Sequence, residues 1–364
     1  MEISFIHTAD LHLCKSFDDL LLNEKERNNR RQELWETFDK IIDLTIENES
    51  NYLFVAGDII CSKYSKLKDF ERIAEKFRLL KNTKVILVTG NNDPIKEDSY
   101  YSIIDWPTNV YVIKETHNLE KITFEEDNLC VYGISLGEKN PDYYLNNNVD
   151  VNIDENMVNI LLIHGGDEEE GHQLYLDYDK IEKFDYCALG HKHNHTEVKE
   201  NIVYPGTPEP LNFQEEGKRG VVMGKVSRDM LFKVFIPLSK RKFITKELNL
   251  QKEYSKEKIL DIVKFLGDVN SLSRDYYRVL IKGELNHHIK IEDIIDESQK
   301  YFRYIEFIED FEYSLELYKE EKENKNNIIG RYINEMKKKR YKNLYEQKSI
   351  LAGLEELYRE KVDS

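Results

Sequence analysis

Seven side chains of types that hold metal ions fall in five short motifs of this 364-residue chain. Asp10 and His12 lie in Asp10-Leu11-His12, Asp58 in Gly57-Asp58, and Asn91 in Gly90-Asn91-Asn92-Asp93. His164 opens His164-Gly165-Gly166, and His191 and His193 belong to Gly190-His191-Lys192-His193. A set of Asp/Asn oxygens and imidazoles without a thiolate suits Mn²⁺, Fe, Zn²⁺, Co²⁺ or Ni²⁺ and selects none of them. Seven ligands exceed the needs of one four- to six-coordinate ion but fit two ions sharing one bridging carboxylate. Two ions about 3.5–4 Å apart can clamp a phosphoryl group and activate a water to hydroxide.

Each motif alone has a plainer explanation. Gly-Asp after a strand is ordinarily a turn, and a lone strand-end histidine is ordinarily structural. Gly-His-x-His is more specific, because histidines at i and i+2 beyond a glycine turn two rings around one bend. The decisive feature is that all five occur in order, each behind a buried-looking strand.

Those strands are the runs Ile3–Ile6, Tyr52–Ala56, Val85–Thr89, Val158–Ile163 and Tyr186–Leu189. Their nearly unbroken hydrophobicity fits strands covered on both faces. Helical periodicity over Asn28–Asn48 and Lys66–Lys81 separates the first three, which predicts right-handed βαβ units and a parallel sheet. In such sheets ligands bind beyond the carboxyl ends of the strands, where all five motifs fall. Residues 109–126 and 202–237 read as short antiparallel strands that would build a second, stacked sheet.

Further along, Lys240-Arg241-Lys242 reads as a linker after the last proline, Pro237. The expected organisation is a domain over 1–242, a small α/β cap over 243–311 and a helical tail over 312–364. The cap pattern is strand, helix (Ser255–Leu266), strand (Tyr277–Glu284), helix (Ile291–Tyr301), strand (Tyr304–Glu309). In the tail, Ile328, Ile329, Tyr332, Ile333 and Met336, and then Leu344, Tyr345, Leu351, Leu354 and Tyr358, recur at helical spacing.

Acidic residues outnumber basic ones by 69 to 53, a net charge of −16, which excludes a protein built chiefly to coat nucleic acid. The four cysteines match no zinc or redox spacing, so reduced thiols in a cytoplasm are the simplest expectation. No apolar run approaches 18 residues and no leader pattern opens the chain, so neither membrane nor export is expected.

In their order, the five motifs resemble those of the calcineurin-like metallophosphoesterases. The opening His7-Thr8-Ala9-Asp10-Leu11-His12-Leu13, and Tyr204-Pro205-Gly206-Thr207-Pro208-Glu209-Pro210 followed by Lys218-Arg219-Gly220, resemble the SbcD-type and YhaO-like DNA repair exonuclease branch. That resemblance implies a four-layer αββα metallophosphoesterase sandwich and two divalent metal ions, usually Mn²⁺. Asp10, His12, Asp58 and His193 would hold one ion. Asp58, Asn91, His164 and His191 would hold the other, with Asp58 bridging. It also implies DNA as substrate and an SbcC-like ATPase partner docked on the C-terminal helices; a homodimer is a further expectation.

One position departs from the family. Its usual Gly-Asn-His-Asp has a histidine that contacts the phosphate and helps the leaving group depart, and here that slot is Asn92. Asparagine donates a hydrogen bond but transfers no proton at neutral pH. His172 and His195 are the auxiliary candidates for that proton. His7 reads as packing at a strand end, His287-His288 as a turn, and Lys337–Arg340 as a solvated helix face or a phosphate contact. Tyr276, Tyr277, Tyr301 and Tyr304 read first as core and second as base-stacking groups. The expected function is a DNA exonuclease. A phosphodiesterase or phosphatase on small nucleotides, or a weakly active metal-binding subunit of an ATPase complex, are the alternatives.

Overall fold

Each apolar run that precedes a ligand motif is a strand in the computed structural model, which describes residues 2–137, 153–167, 174–286 and 289–314 with scattered positions between 328 and 357. The chain divides into two units, Met1–Lys242 and Phe243–Ser364.

The first unit begins β1 (Ile3–Thr8), α1 (Glu24–Glu47), β2 (Tyr52–Ala56), α2 (Leu67–Arg78), β3 (Lys84–Val88), α3 (Tyr100–Ile103) and β4 (Val110–Val112). It continues through β5 (Glu120–Phe124), β6 (Leu129–Ile134), β7 (Val158–Gly166), β8 (Leu174–Tyr175), α4 (Tyr178–Ile181) and β9 (Tyr186–Gly190). Four more strands close it: β10 (Thr196–Lys199), β11 (Ile202–Tyr204), β12 (Gly220–Val226) and β13 (Leu231–Pro237).

These strands form two sheets. One has the order β13-β12-β1-β2-β3-β4; the other runs β10-β11-β9-β7-β6-β5, with β8 beside β7. β1, β2, β3 and β4 are parallel neighbours, as are β6, β7, β9 and β11. The carboxyl ends of β1, β2 and β3 in one sheet and β7 and β9 in the other carry all the ligand motifs.

Alternating residues explain the stacking. Phe5, Tyr52, Phe54, Ile86 and Val88 of the first sheet share one core with Val131, Ile160, Leu162, Tyr186 and Ala188 of the second. The intervening residues Leu53, Val55, Val85 and Leu87 are also fully buried, so both faces of that sheet are covered, as the unbroken runs require. Buried residues of α1 and α2 meet through Phe38 and Phe77, whose ring centroids are 5.7 Å apart. On the second sheet, Cys130, Tyr132, Leu161, Ile163 and Leu189 form a separate cluster with Ile181 and Phe184. The mixed α/β sandwich expected from the sequence is therefore present.

Two expectations need correction. β4 is parallel to β3 and lies in the first sheet, and β12 and β13 are antiparallel but extend that same sheet beside β1. The connection between β3 and β4 contains α3 and is long enough for a parallel return, which short strand spacing conceals. Only β5 and β11 of the two predicted stretches join the second sheet, β11 as a parallel neighbour of β9. Lys240–Lys242 ends the first unit and is tied to its helix α1. The buried Arg241 pairs with Glu33 of α1, and the Lys240 ammonium with Glu36.

The second unit is a parallel sheet in the order β14 (Phe243–Leu250), β15 (Tyr276–Asn286), β16 (Tyr304–Ser314). Its crossovers are α5 (Lys256–Lys264) with α6 (Val269–Arg274), and α7 (Ile291–Ser298). Ile259, Val263, Val279, Ile281, Ile291 and Ile294 form its core. Tyr276 and Tyr277 are buried, whereas Tyr301 is exposed. His287-His288, Lys337–Arg340 and most of the tail fall outside the described residues; the described tail positions between Ile328 and Leu357 are helical.

Candidate metal centre

Four of the seven ligand candidates sit in a backbone conformation that L-residues rarely adopt. Asp10, His12, Asp58 and His191 have φ of 52°, 46°, 51° and 104°. Such residues cost on the order of 1–3 kcal/mol each and persist only where their surroundings over-determine them. Hydrogen bonds between the loops supply that determination. The amides of Asp10 and His12 donate to the carbonyls of Gly57 and Asp58 at 3.1 and 2.9 Å. The amide of His191 donates to Asp10 Oδ2 at 3.0 Å.

Asp93 organises the centre without facing it. Its carboxylate accepts from the amides of Asp58 (3.2 Å), Ile59 (2.9 Å) and Gly90 (2.7 Å), and from the Tyr101 hydroxyl (2.6 Å). Gly90 admits no side chain, since a Cβ there would lie 2.2 Å from Asp58 Oδ1. At Gly57, φ is +83° and a Cβ would meet His164 Nδ1 at 2.5 Å. The glycines of these motifs thus make room for the next ligand.

Two groups of acceptors result. In the first, His12 Nε2 is 3.2 Å from His193 Nε2, and each is 3.9 Å from Asp10 Oδ1. Asp10 Oδ1 is buried with no hydrogen-bond partner. In the second, His164 Nε2 is 3.0 Å from Asn91 Oδ1 and 3.7 Å from Asp58 Oδ2. His164 Nδ1 lies 2.9 Å from the carbonyl of Ala56, which only accepts, so Nδ1 carries the proton and Nε2 turns a lone pair inward. Asp58 Oδ2 is also 3.6 Å from His12 Nε2, which puts this oxygen between the groups. Ligands about 2.0–2.2 Å from one ion at angles of 90–110° lie about 3.0–3.5 Å apart. The orphaned Asp10 oxygen and the two close pairs of acceptors therefore fit divalent cations.

The charge states of His12 and His191 agree with that use. At His164 and His193 burial is outweighed by the neighbouring carboxylates, which hold both rings above the ordinary histidine range, so a metal would have to displace their protons. Burial pushes His12 and His191 down to about 4, leaving them neutral near pH 7, and pushes Asp10 up to about 6. Burial also works against charge on His193, but the Glu215 carboxylate, helped by Asp10 and Asp58, outweighs it and raises the ring to about 9. Glu215 Oε1 accepts from His193 Nδ1 at 2.7 Å and its other oxygen accepts from the amide of Leu211 at 2.8 Å. A carboxylate behind a histidine fixes its tautomer and ring orientation. Arg219, itself buried, adds a hydrogen bond to the carbonyl of His193.

The expected residues divide as follows. Asp10, His12 and His193 converge, and so do Asp10, Asp58 and His164, with Asn91 beside them. His191 stands next to His164, ring centroids 5.2 Å apart. Asn92 is held on the carboxylate of Asp58, donating from its backbone amide to Oδ1 (2.8 Å) and from Nδ2 to Oδ2 (2.6 Å). His195 is not brought in. Its Nδ1 is 2.9 Å from the carbonyl of Tyr204 and its ring stacks on Phe235 at 4.4 Å. His172 falls outside the described residues. His7 is buried at the end of β1 with Nδ1 2.9 Å from the Tyr186 hydroxyl. Sequence reasoning quoted Asp93 and Arg219 within motifs but gave no site role to them, nor to Tyr101 and Glu215. Asp93 closes the Gly-Asn-Asn-Asp motif, which was a signal; Glu215 and Arg219 had none but their place in the Tyr204–Gly220 stretch.

A fold of two stacked sheets with this ligand set at their carboxyl ends defines a metallophosphoesterase. The family model for calcineurin-like phosphoesterases matches residues 3–195, and the chain belongs to that family. It is similar to the uncharacterized metallophosphoesterase YhaO of Bacillus subtilis, at 25% identity over 62% of this chain and 58% of that one. The match thus spans less than two thirds of that relative. The chain is also similar to the DNA double-strand break repair protein Mre11 of Sulfolobus acidocaldarius, at 22% identity over 72% of this chain and 71% of the other. A crystal structure of TT1561 of Thermus thermophilus aligns with a TM-score of 0.37 and 13% identity, over 65% of this chain and 99% of that one. Membership and the ligand clusters together imply divalent metal ions. No helix among the described residues is long and apolar enough to cross a membrane.

Proposed function

We propose that this metallophosphoesterase hydrolyses phosphodiester bonds in DNA, as an exonuclease of the SbcD-like type. The observation that carries the reading is the placing of Asp58 Oδ2 between the His12 and His164 nitrogens, the position of a bridging ligand. Asp10, His12, Asp58 and His193 would hold one ion and Asp58, Asn91, His164 and His191 the other. Two divalent ions there would supply charge neutralisation at the phosphoryl group and a water of lowered pKa. The protein's part is orientation. Asp93 holds the β2 and β3 loops together, Glu215 aims His193, the Ala56 carbonyl aims His164, and Asn92 fixes Asp58. The similarity to a protein named for DNA double-strand break repair supports a DNA substrate, and Mn²⁺ is the proposed metal. The C-terminal helices are proposed to dock on an SbcC-like ATPase.

One observation favours a second reading, a phosphodiesterase for small or activated esters. Asn92 is held on Asp58, and an amide transfers no proton, which leaves the leaving-group oxygen without a general acid from that position. Metal analysis followed by Mn²⁺-dependent hydrolysis of single-stranded DNA and of bis-p-nitrophenyl phosphate tests both. Absence of bound metal and of hydrolysis would sink them together; cleavage of the small diester alone would leave the second.

A further inference from the structure

The segment that follows His12, helix α1 and the start of α2 border a concavity of about 380 Å³ in the first unit. Cys14, two residues beyond His12, lines it, so its wall begins within about 7 Å of chain from that ligand. Three cations line it: Arg31, Lys66 and Lys68. The Arg31 guanidinium bonds the carbonyl of Ser16 and the side-chain oxygen of Asn28, both neutral. Lys66 and Lys68 are exposed and form no ion pair among the described residues.

Several other lysines of this unit are paired with carboxylates. Lys76, Lys84, Lys192, Lys199 and Lys233 each lie within 4 Å of a carboxylate. The one carboxylate of the pocket, Asp69, accepts the backbone amide of Lys66. Three cations against one anion, in a chain of net charge −16, make a local positive site that its own acids do not neutralise. Two aromatic residues complete the lining. Trp35 is buried, with the Arg72 guanidinium 3.9 Å from its ring centre, and Tyr64 is 43% exposed.

We propose that this pocket is a subsite for the nucleotide next to the scissile one, taking its phosphate on Arg31, Lys66 and Lys68 and its base against Tyr64. A strand of at least two nucleotides is then a better substrate than an isolated diester. Base–aromatic stacking is sequence-tolerant and phosphate contact is sequence-blind, so the subsite selects strand over small ester without reading bases. The inference rests on the phosphodiesterase reading above.

The test uses the full-length protein, freed of metal with EDTA, and a fluorescein-labelled six-nucleotide single strand followed by anisotropy. Lys66→Glu/Lys68→Glu should weaken binding at least about tenfold, and the milder Lys66→Gln/Lys68→Gln should lower the salt slope by up to about 0.7, the value for the one phosphate held there. Tyr64→Ala should weaken binding at least about fivefold. A mononucleotide should displace the strand where equimolar inorganic phosphate does not. With metal restored, kcat/KM of Lys66→Gln/Lys68→Gln should fall at least about tenfold more on the oligonucleotide than on bis-p-nitrophenyl phosphate. Unchanged affinity and salt slope in folded lysine variants, or equal displacement by bare phosphate, would overturn the subsite. Failure of the unaltered protein to cleave any diester would overturn the phosphodiesterase reading instead, and the anisotropy would still judge the pocket.

Discussion

Asn92 grips Asp58 at two points, its amide N–H on Oδ1 and its side-chain Nδ2 on Oδ2, so the carboxylate between the two ligand groups is fixed by the residue that replaces the family's histidine. The substitution therefore does more than delete a proton donor. It trades that donor for a positioning contact on the one oxygen shared by both sets of ligands.

Exchanging the residue separates those roles. Asn92→His should raise DNA cleavage relative to bis-p-nitrophenyl phosphate by at least about tenfold, since a positioned acid contributes about 10²–10⁴-fold and p-nitrophenolate hardly needs one. Asn92 is exposed, so a ring has room. Comparing kcat/KM for the two substrates decides the matter; equal gains, or none, would mean the proton comes from elsewhere.

Removing the shared carboxylate should be severe. Asp58→Ala is expected to abolish hydrolysis and to lower the metal retained, as measured by elemental analysis of the purified protein. Full metal occupancy with unaltered turnover would contradict the bridging role.

Glu215 offers a pH test on the metal-free protein. His193 is raised to about 9 in the fold against an ordinary 6.5, so its proton stabilises the folded state. That stabilisation is complete below pH 6.5 and disappears as pH rises through about 9. The melting temperature of the metal-free protein should accordingly fall across this window, and Glu215→Gln should flatten the fall. Metal affinity, followed by calorimetry, should drop about 10–100-fold in the same variant. A slope that survives Glu215→Gln would remove the pair as its cause.

A fourth expectation concerns stability away from the centre. Arg30 is fully buried and holds Glu33 on α1, Glu209 at 3.3 Å and the carbonyl of Pro210 at 2.7 Å. Arg30→Ala leaves the buried Glu209 without its cation, while Glu33 keeps Arg241, and should cost about 3–5 kcal/mol in urea unfolding. A cost under about 1 kcal/mol would show that water reaches the site and replaces the guanidinium.

The sequence by itself determined which residues would meet, because ligand types placed after buried strands have one place to go in a parallel sheet. Asp10, His12, Asp58, His164 and His193 needed only their motifs and the rule that loops diverge at strand carboxyl ends. It also set the stacked, doubly covered sheets, since runs such as Tyr52–Ala56 have no polar face to turn to water. Tertiary structure decided the rest. Hydrophobic runs say that a strand is buried but not beside which partner, so the parallel pairing of β4 and the addition of β12–β13 to the first sheet were not legible. Glu215 lies 22 residues from His193 and Arg219 lies 26, with no periodicity linking them, and only chain closure sets them behind that ring. Asn92 is the sharpest case. Its type announced the loss of an acid, whereas its grip on Asp58 depends on two loops from different strands meeting at 2.6 Å.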